Sequence, residues 1–241
     1  MIRVAATADV HFGSDSAGTL RPQLEHLGER ADVFCIAGDL TRHGAASEAR
    51  VLADELRDLP VPTVAVLGNH DYECDEAPVI CTVLREVGVQ VLDNENHVVQ
   101  VDGERVGISG VKGFGGGFAG ACGSDFGEPE MKAFIRHTKD VSQRLEELLR
   151  LQDADVRIAL LHYAPVQETL RGERLEIFPF LGSYLLAEAV DRAGADLVLH
   201  GHAHNGVEKG ITPGGVPVRN VAQPVIRYAY TVYNVEERVA V

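Results

Sequence analysis

Three apolar segments near the start of the chain each end in a short polar cluster, and the clusters recur at one interval. Asp9 follows the first segment, Asp39 the second and Asn69 the third, at successive separations of 30 residues. That separation is the length of one strand–helix–strand unit, so it predicts three adjacent or nearly adjacent parallel strands. Parallel sheets place their sites at the carboxyl ends of strands, where these clusters lie. The apolar segments are residues 2–8, 32–37 and 61–66.

The third cluster, Leu67-Gly68-Asn69-His70-Asp71, places an amide, an imidazole and a carboxylate side by side. The Asn69 carbonyl oxygen suits a hard or borderline metal ion, and the His70 ring can hold or donate a proton near neutral pH. Asp71 is placed to orient that ring. Gly68 allows a tight turn because it has no side chain. The pentapeptide therefore predicts a functional turn at the end of the third strand.

The second half of the chain predicts an antiparallel or mixed sheet. Residues 97–101 and 105–109 flank Asp102-Gly103, a pair suited to the type I′ turn of a β-hairpin. Two later apolar segments, residues 156–161 and 196–199, are typical of buried strands and end at His162 and at His200-Gly201-His202-Ala203-His204. Helices are predicted over residues 19–30, 45–59, 75–88, 128–151 and 183–193, a loop over 166–182, and closing strands over 216–221 and 225–235.

Length and composition favour one large α/β domain. With 241 residues, of which 45% are hydrophobic, the chain can bury a sizeable core, and we expect a single domain over residues 1–241. The formal net charge of −14 disfavours a nucleic-acid polymer or a membrane surface as partner, because a polyanion would be repelled. The four cysteines form no Cys-x-x-Cys pair, and we find neither a signal peptide nor an apolar run of about 20 residues. We therefore expect a cytoplasmic protein.

Eight polar side chains at the five strand ends are placed to meet at one edge of a sheet. Oxygen and imidazole ligands without cysteine suit borderline metals such as Mn, Fe, Zn, Co or Ni. Without His70, whose ring can hold or donate a proton, seven ligands are left. Seven are too many for one ion, but they suit two ions about 3.5–4 Å apart, the arrangement used in hydrolysis at phosphorus. The side chains are those of Asp9, His11, Asp39, Asn69, His70, His162, His202 and His204.

The order of these motifs resembles the calcineurin-like metallophosphoesterase family. The motifs are Asp-x-His at 9–11, Gly-Asp at 38–39, Gly-Asn-His-Asp at 68–71, His162, and Gly-His-x-His at 201–204. The resemblance implies an α/β fold in which two mixed β-sheets pack as a sandwich flanked by helices, in four layers. It also implies that a first metal ion is held by Asp9, His11 and His204, a second by Asn69, His162 and His202, and both by Asp39.

The resemblance further implies a hydrolase with two metal ions, Mn, Fe or Zn being expected, and a hydroxide that bridges them. His70 would stabilise the phosphoryl oxygens or protonate the leaving group, with Asp71 or a backbone carbonyl orienting its ring. A small-molecule phosphodiesterase is the expected activity, since no extra segment is present to grip a polymer. The alternatives are a phosphatase, a nuclease, which the acidity disfavours, and a non-catalytic scaffold, which the complete ligand set and His70 disfavour.

Other residues near the motifs have simpler explanations. We expect His200 to point to the opposite face of its strand and to be structural. Arg42 and His43 are close enough to Asp39 to reach a substrate, although a solvated loop is the expected environment. The glycine-rich residues 110–127 lack the Lys-Ser/Thr ending of a P-loop, so they form either a lid or a fixed irregular loop. Four phenylalanines pack in a loop core or stack on an aromatic substrate group: Phe114, Phe118, Phe178 and Phe180.

Overall fold

The polar clusters follow real strands in the computed structural model, which describes residues 1–236. The rest of the expected domain 1–241 lies outside the described residues. The strands are β1 (Ile2–Thr7), β2 (Val33–Ala37), β3 (Thr63–Val66), β4 (Val89–Leu92), β5 (Glu95–Val101), β6 (Glu104–Gly110), β7 (Gly117–Phe118), β8 (Ala121–Cys122), β9 (Val156–Leu160), β10 (Leu197–His200), β11 (Lys209–Ile211), β12 (Pro217–Asn220) and β13 (Thr231–Val235). The helices are α1 (Leu27–Arg30), α2 (Ala46–Leu56), α3 (Ala77–Arg85), α4 (Pro129–Leu151), α5 (Phe178–Leu181), α6 (Tyr184–Ala193) and α7 (Gln223–Ile226). Short 3₁₀ turns lie at Arg21–Leu24, His70–Tyr72, Gln167–Leu170 and Leu175–Ile177.

The first sheet has the strand order β13-β1-β2-β3-β4, in which β1 to β4 are parallel and β13 is antiparallel. The three strands predicted from the 30-residue interval are therefore direct neighbours, with Ala6 opposite Cys35 and Cys35 opposite Val64. All residues of β2 and β3 are buried, which explains why their sequences are continuously apolar rather than alternating. Because neighbouring parallel strands end at the same edge, the first three polar clusters meet there.

The second sheet is mixed, as the sequence predicts. Its order is β11-β12-β10-β9-β6-β5, with a parallel centre and an antiparallel strand at each edge. The hairpin β5–β6 turns at Asp102 and Gly103, whose φ angles of 46° and 91° are both positive. A type I′ turn requires positive φ at both central residues, so the Asp-Gly prediction is confirmed. The centre of this sheet ends at the same edge of the molecule as the first sheet.

The two sheets face each other across a shared apolar core. One buried cluster contains Val4 and Val64 from the first sheet and Ile108, Ile158 and Leu199 from the second. Burying a side chain of this size contributes roughly 1.5–3 kcal/mol, so this interface is a principal stabilising element. Helices α2 and α3 cover the outer face of the first sheet, and α4 and α6 cover that of the second. The predicted four-layer sandwich is confirmed.

The predicted strand over residues 225–235 is wrong in its first half. Residues Gln223–Ile226 form the short helix α7, and the strand begins only at Thr231. Pro224 lies in the first turn of α7, where its missing amide hydrogen leaves no bond unmade. Arg227 then adopts a left-handed conformation with φ of 59°, which ends the helix.

The predicted loop over 166–182 contains short helical pieces at Gln167–Leu170, Leu175–Ile177 and Phe178–Leu181.

The predicted helix over residues 19–30 is interrupted. Residues Arg21–Leu24 form a 3₁₀ turn, and only Leu27–Arg30 is an α-helix. The Glu55 carboxylate accepts hydrogen bonds from the amides of Leu20 and Arg21, at 3.0 and 2.6 Å. This long-range contact with α2 fixes the first turn in a way that local periodicity does not show.

The glycine-rich residues 110–127 form an irregular segment that packs on α5. The Gly116 and Gly117 amides donate to the Pro179 and Gly182 carbonyls, at 2.6 and 2.8 Å. Gly117 has φ of 94°, and a Cβ there would lie 2.1 Å from the Ala121 carbonyl oxygen. Glycine is therefore required by the hairpin itself. Within residues 1–236, no helix has the length and apolarity to cross a membrane.

Candidate metal centre

Main-chain contacts bring the strand ends of both sheets to one place. The Asp9 amide donates to the Gly38 carbonyl at 3.0 Å, which holds the loops after β1 and β2 side by side. From the second sheet, His162 Nδ1 donates to the Ala37 carbonyl at 2.9 Å. The motifs that are distant in sequence are thus neighbours in space, as their order predicts.

Four of the seven predicted ligands have left-handed backbone conformations. The φ angle is 56° at Asp9, 42° at His11, 50° at Asp39 and 70° at His202. Residues with side chains seldom adopt such angles, and each instance costs about 1–3 kcal/mol. Glycine would relieve that cost but would supply no ligand. The concentration of strained positions at one edge of the sheets therefore indicates a functional site.

The first ligand cluster consists of Asp9, His11, Asp39 and His204, whose ligand atoms all lie within 4.8 Å of one another. The buried Asp9 carboxylate accepts hydrogen bonds from His204 Nε2 at 2.8 Å and from the His202 amide at 3.0 Å. Burial raises the pKa of Asp9, but the His204 hydrogen bond and neighbouring charges outweigh it and hold that pKa below its usual value. The same hydrogen bond raises the pKa of His204.

The second cluster consists of Asp39, His162 and His202, also within 4.8 Å, with Asn69 beside it. His162 Nδ1 donates to a main-chain carbonyl, so the neutral ring presents its lone pair on Nε2. That nitrogen lies 2.9 Å from Asn69 Oδ1 and 3.4 Å from Asp39 Oδ1. His202 Nε2 also donates to a main-chain carbonyl, at 3.1 Å, which leaves its Nδ1 lone pair for the cluster.

These residues fit a bound metal ion. His11 Nε2 is buried without a hydrogen-bond partner among the described residues and lies 3.8 Å from Asp39 Oδ2. A buried nitrogen in that position is costly unless a cation is nearby. His162 Nε2 lies 2.9 Å from the Asn69 oxygen, so a metal ion beside them could take both as ligands. Imidazole, carboxylate and amide donors without thiolate suit borderline transition metals.

His70 lies beside the clusters with its ring oriented by the main chain. Its Nδ1 donates to the Arg42 carbonyl at 2.8 Å, and its amide donates to Asp39 Oδ1 at 2.9 Å. The His70 and His11 ring centroids are 4.5 Å apart, edge to face. With Nδ1 engaged, Nε2 is the nitrogen that is left for chemistry. Of the two predicted orienting groups, the structure supplies the backbone carbonyl.

The expectation that Asp71 orients the His70 ring is corrected by the hydrogen bonds of Asp71. Its carboxylate is fully buried and accepts from the Gly68 amide at 2.8 Å, the Leu40 amide at 3.2 Å and Thr41 at 2.8 and 2.6 Å. Burial raises the pKa of Asp71, and these hydrogen bonds oppose that shift. Asp71 therefore connects the loop after β3 to the loop after β2 and acts as a positioning residue.

The histidine that precedes the last motif is structural, as expected. His200 is fully buried, with Nδ1 2.8 Å from the Gly201 carbonyl and Nε2 2.9 Å from Thr169 Oγ1. Burial lowers its pKa to about 4, so the ring is neutral. Both nitrogens are satisfied within the fold.

The Arg42 and His43 side chains lie in a solvated loop, as expected. The Arg42 guanidinium is paired with Asp15 at 2.9 Å, and the His43 ring is 3.5 Å from Glu73. Both of these side chains are exposed. Arg42 therefore serves the site through its carbonyl rather than through its charge.

The loop-core interpretation holds for three of the four phenylalanines. Phe118 and Phe178 are buried, with ring centroids 6.3 Å apart. Phe114 packs against Phe134 at 4.9 Å, whereas Phe180 is exposed. The aromatic residues of this region thus form a packed wall with one exposed ring.

One polar residue near the site was missed from the sequence. Lys112 follows β6 by two residues, at the same sheet edge as His162, and its carbonyl accepts from the His162 amide at 2.9 Å. The sequence signal for Lys112 is its position just after a strand. Because β6 is parallel to β9, residues that follow either strand lie at the same sheet edge. In the sequence this position lies in the glycine-rich residues 110–127, and the hairpin pattern does not indicate a parallel neighbour for β6.

The sequence profile of the calcineurin-like phosphoesterase family matches residues 2–206 of the chain. The chain belongs to this family. It is a metal-dependent phosphoesterase, as the motif order predicts. No curated protein sequence matches it.

Two solved structures illustrate the shared fold of this phosphoesterase. Phosphopantetheinyl hydrolase from Mycobacterium tuberculosis is similar with a TM-score of 0.70 at 16% identity, covering 98% of this chain and 97% of that chain. A putative 5′-nucleotidase from Staphylococcus aureus has a TM-score of 0.59 at 18% identity, covering 98% of this chain and 53% of that chain. At these identities the likeness extends to the fold alone.

Proposed function

We propose that this phosphoesterase hydrolyses a small phosphodiester with the help of two transition-metal ions. The observation that supports two ions is the position of Asp39, which belongs to both ligand clusters. Its Oδ1 faces His162 at 3.4 Å, and its Oδ2 faces His11 at 3.8 Å. One carboxylate between two sets of ligands is the arrangement expected of a bridge between paired ions.

The two clusters indicate which residues would hold each ion. When bound, Mn, Fe or Zn ions would lower the pKa of water and neutralise charge on the phosphate oxygens. Residues of the chain keep the ligands in place: the His202 amide fixes the Asp9 carboxylate, and the His70 amide fixes Asp39. The first ion would be held by Asp9, His11 and His204, the second by Asn69, His162 and His202, and both by Asp39.

His70 would protonate the oxygen of the departing alcohol. The hydrogen bond from Nδ1 to the Arg42 carbonyl fixes the tautomer and turns Nε2 away from the main chain. In the doubly protonated ring, Nδ1–H stays on the Arg42 carbonyl while Nε2–H gives its proton to the departing oxygen, and Nε2 regains a proton from solvent afterwards. Asp71 supports this role indirectly, because it fixes the turn that carries His70.

Arg42 adds no positive charge to the reacting phosphate, which suits a diester better than a monoester. A monoester carries about two negative charges near neutral pH and a diester carries one. Arg42, the arginine that the sequence places nearest to the motifs, is paired with Asp15 and directs only its carbonyl toward His70. The net charge of −14 also favours a small substrate over a nucleic-acid polymer. The similar solved structures include one named phosphopantetheinyl hydrolase and one named putative 5′-nucleotidase, and neither fixes the substrate here.

We also infer that the chain acts as one domain. The apolar cluster between the sheets draws residues from strands on both sides, including Val64 and Ile158. The ligands are divided in the same way, with Asp39 from the first sheet and His162 from the second. Separating the sheets would therefore expose the core and dismantle the site together.

Hydrolysis of bis-p-nitrophenyl phosphate and of p-nitrophenyl phosphate tests this proposal. The protein would be reconstituted with Mn²⁺, its metal content measured, and a chelator used as control. We expect chelator-sensitive hydrolysis with the higher kcat/KM on the diester. A preference for the monoester would instead identify a phosphatase. If protein with two bound equivalents of Mn²⁺ hydrolysed neither ester, the proposed activity on simple diesters would be wrong.

A further inference from the structure

We propose that Lys112 binds a second phosphate group of the substrate, beyond the phosphodiester that is cleaved. The inference rests on the proposed function, because it deepens the description of that site. The substrate class is a phosphodiester whose alcohol portion carries a further phosphate. The feature that supports it is an ammonium group held over three aromatic rings beside the metal centre.

The main chain fixes Lys112 next to the metal centre. Its carbonyl accepts hydrogen bonds from the amides of His162 and Tyr163, at 2.9 and 3.0 Å. His162 is one of the predicted ligands, so the backbone of Lys112 is directly bonded to the loop that carries it. The side chain is also near Asp39, whose charge acts on the pKa of the lysine.

The Lys112 ammonium lies over the rings of Tyr72, Phe114 and Tyr163. The distances from Nζ to the ring centroids are 4.9, 5.2 and 5.4 Å. These are cation–π distances, and three rings around one cation form a partial cage. Tyr72 belongs to the turn that begins at His70, and Phe114 belongs to the glycine-rich segment. Three separate loops of the site therefore converge on this ammonium.

The ammonium has no anionic partner in residues 1–236. No carboxylate lies within 4.0 Å of Nζ, and Nζ donates no hydrogen bond to a described residue; the carboxylates that act on its pKa, those of Asp93 and Asp39, are farther away. Other cations of the chain do have carboxylate partners, such as Arg3 with Asp32 and Arg105 with Asp155. In a chain with 36 acidic and 22 basic residues, a half-buried cation without a carboxylate partner is a site for an external anion.

The aromatic cage is continuous with the metal ligands. The Tyr163 ring lies 4.5 Å from the His202 ring and 5.8 Å from the Phe114 ring. Tyr72 is 39% exposed, so the cage is open to solvent on one side. A ligand that spans the metal centre and the cage would place one phosphate among the histidines and the other at Lys112. Burial lowers the pKa of Lys112, and an adjacent phosphate would oppose that shift.

A pair of chromogenic substrates that differ in one phosphate tests the inference. The probes are the p-nitrophenyl ester of thymidine 5′-phosphate and the same ester carrying a 3′-phosphate. We expect the wild-type enzyme to prefer the second probe. Lys112→Met should lower kcat/KM on that probe about 10-fold or more, mainly by raising KM. The first probe should change less than about twofold, and Lys112→Arg should keep most of the preference. Lys209→Met, at an exposed lysine of β11, controls for the loss of one positive charge.

Binding measurements separate this inference from the proposed function. Calorimetry would compare thymidine 5′-monophosphate with thymidine 3′,5′-bisphosphate on the Mn²⁺-loaded wild-type and Lys112→Met proteins. If neither ester is hydrolysed but the bisphosphate loses affinity only in Lys112→Met, the inference stands and the proposed activity falls. The inference is overturned, and the activity stands, if two results are found together. The wild type and Lys112→Met would hydrolyse both esters with the same preference, and the two proteins would bind the bisphosphate with the same affinity. An equal loss on both probes also overturns it, because Lys112 would then serve the reacting phosphate or the fold.

Discussion

His70 Nδ1 donates a 2.8 Å hydrogen bond to the main-chain carbonyl of Arg42. The bond joins the turn after β3 to the loop after β2, 28 residues earlier in the chain. It fixes both the tautomer and the direction of the His70 ring, because a carbonyl can only accept. The Arg42 guanidinium is occupied elsewhere by Asp15, so the arginine side chain is not what the His70 ring requires.

Replacing His70 should separate catalysis from metal binding. We expect His70→Asn to lower kcat by about 100- to 10,000-fold, since the proton donor is lost. Metal content should stay at the wild-type value, because His70 is not one of the clustered ligands. Steady-state kinetics on bis-p-nitrophenyl phosphate, with metal analysis of the same samples, measures both. His43→Asn is the matched control at an exposed histidine in the neighbouring loop and should be nearly neutral.

Asp71 should prove to be a positioning residue whose loss is seen first in stability. Asp71→Asn places an amide group against the donors of Gly68, Leu40 and Thr41. A buried donor facing donors costs about 2–4 kcal/mol in unfolding free energy. Urea unfolding of Asp71→Asn measures this, with Thr41→Val as a milder variant that removes the 2.6 Å hydroxyl bond alone. A variant with wild-type stability but no activity would instead return Asp71 to a direct catalytic role.

The candidate metal ligands can be listed from the sequence because they follow strands that the sequence marks clearly. A buried parallel strand is a continuous apolar run, and it indicates the sheet edge at which the residues after it lie. Asp39 and His162 needed no knowledge of the loops around them. The parallel order of β1, β2 and β3 followed from the even separation of Asp9, Asp39 and Asn69.

Contacts between loops were not predictable in the same way. The adjacent carboxylate was the natural partner for His70, yet the ring is bound by a carbonyl from another loop. The sequence does not point to Lys112, because its cage is formed by three loops that no local pattern relates. The apolar and aromatic residues of 225–235 favour a strand, but Pro224 begins the short helix α7, which includes the first two of these residues.

The Arg3–Asp32 ion pair should make stability depend on pH at the acid end. The Arg3 hydrogen bond holds the pKa of Asp32 below its usual value, and the two side chains are 2.5 Å apart. A lowered pKa in the folded state contributes stability that is present above the usual aspartate pKa and is lost as pH falls through the folded value. Because the Arg3 side chain is exposed, solvent screens the pair and its contribution to the unfolding free energy is small. The difference in unfolding free energy between wild type and Asp32→Asn should therefore shrink below about pH 4. A difference that is constant from pH 7 to pH 3 would contradict this assignment.

Asp39 should be the one ligand whose loss affects both ions. Its two oxygens face His162 and His11, at 3.4 and 3.8 Å, so Asp39→Asn removes charge from both clusters at once. His204, by contrast, belongs to the first cluster alone. Titration with Mn²⁺ and metal analysis should therefore show that Asp39→Asn weakens the binding of two equivalents. His204→Asn should weaken one equivalent and leave the other close to the wild-type affinity. If Asp39→Asn lost only one equivalent, the shared position of this carboxylate would not be a bridge, and the two clusters would have to be independent sites.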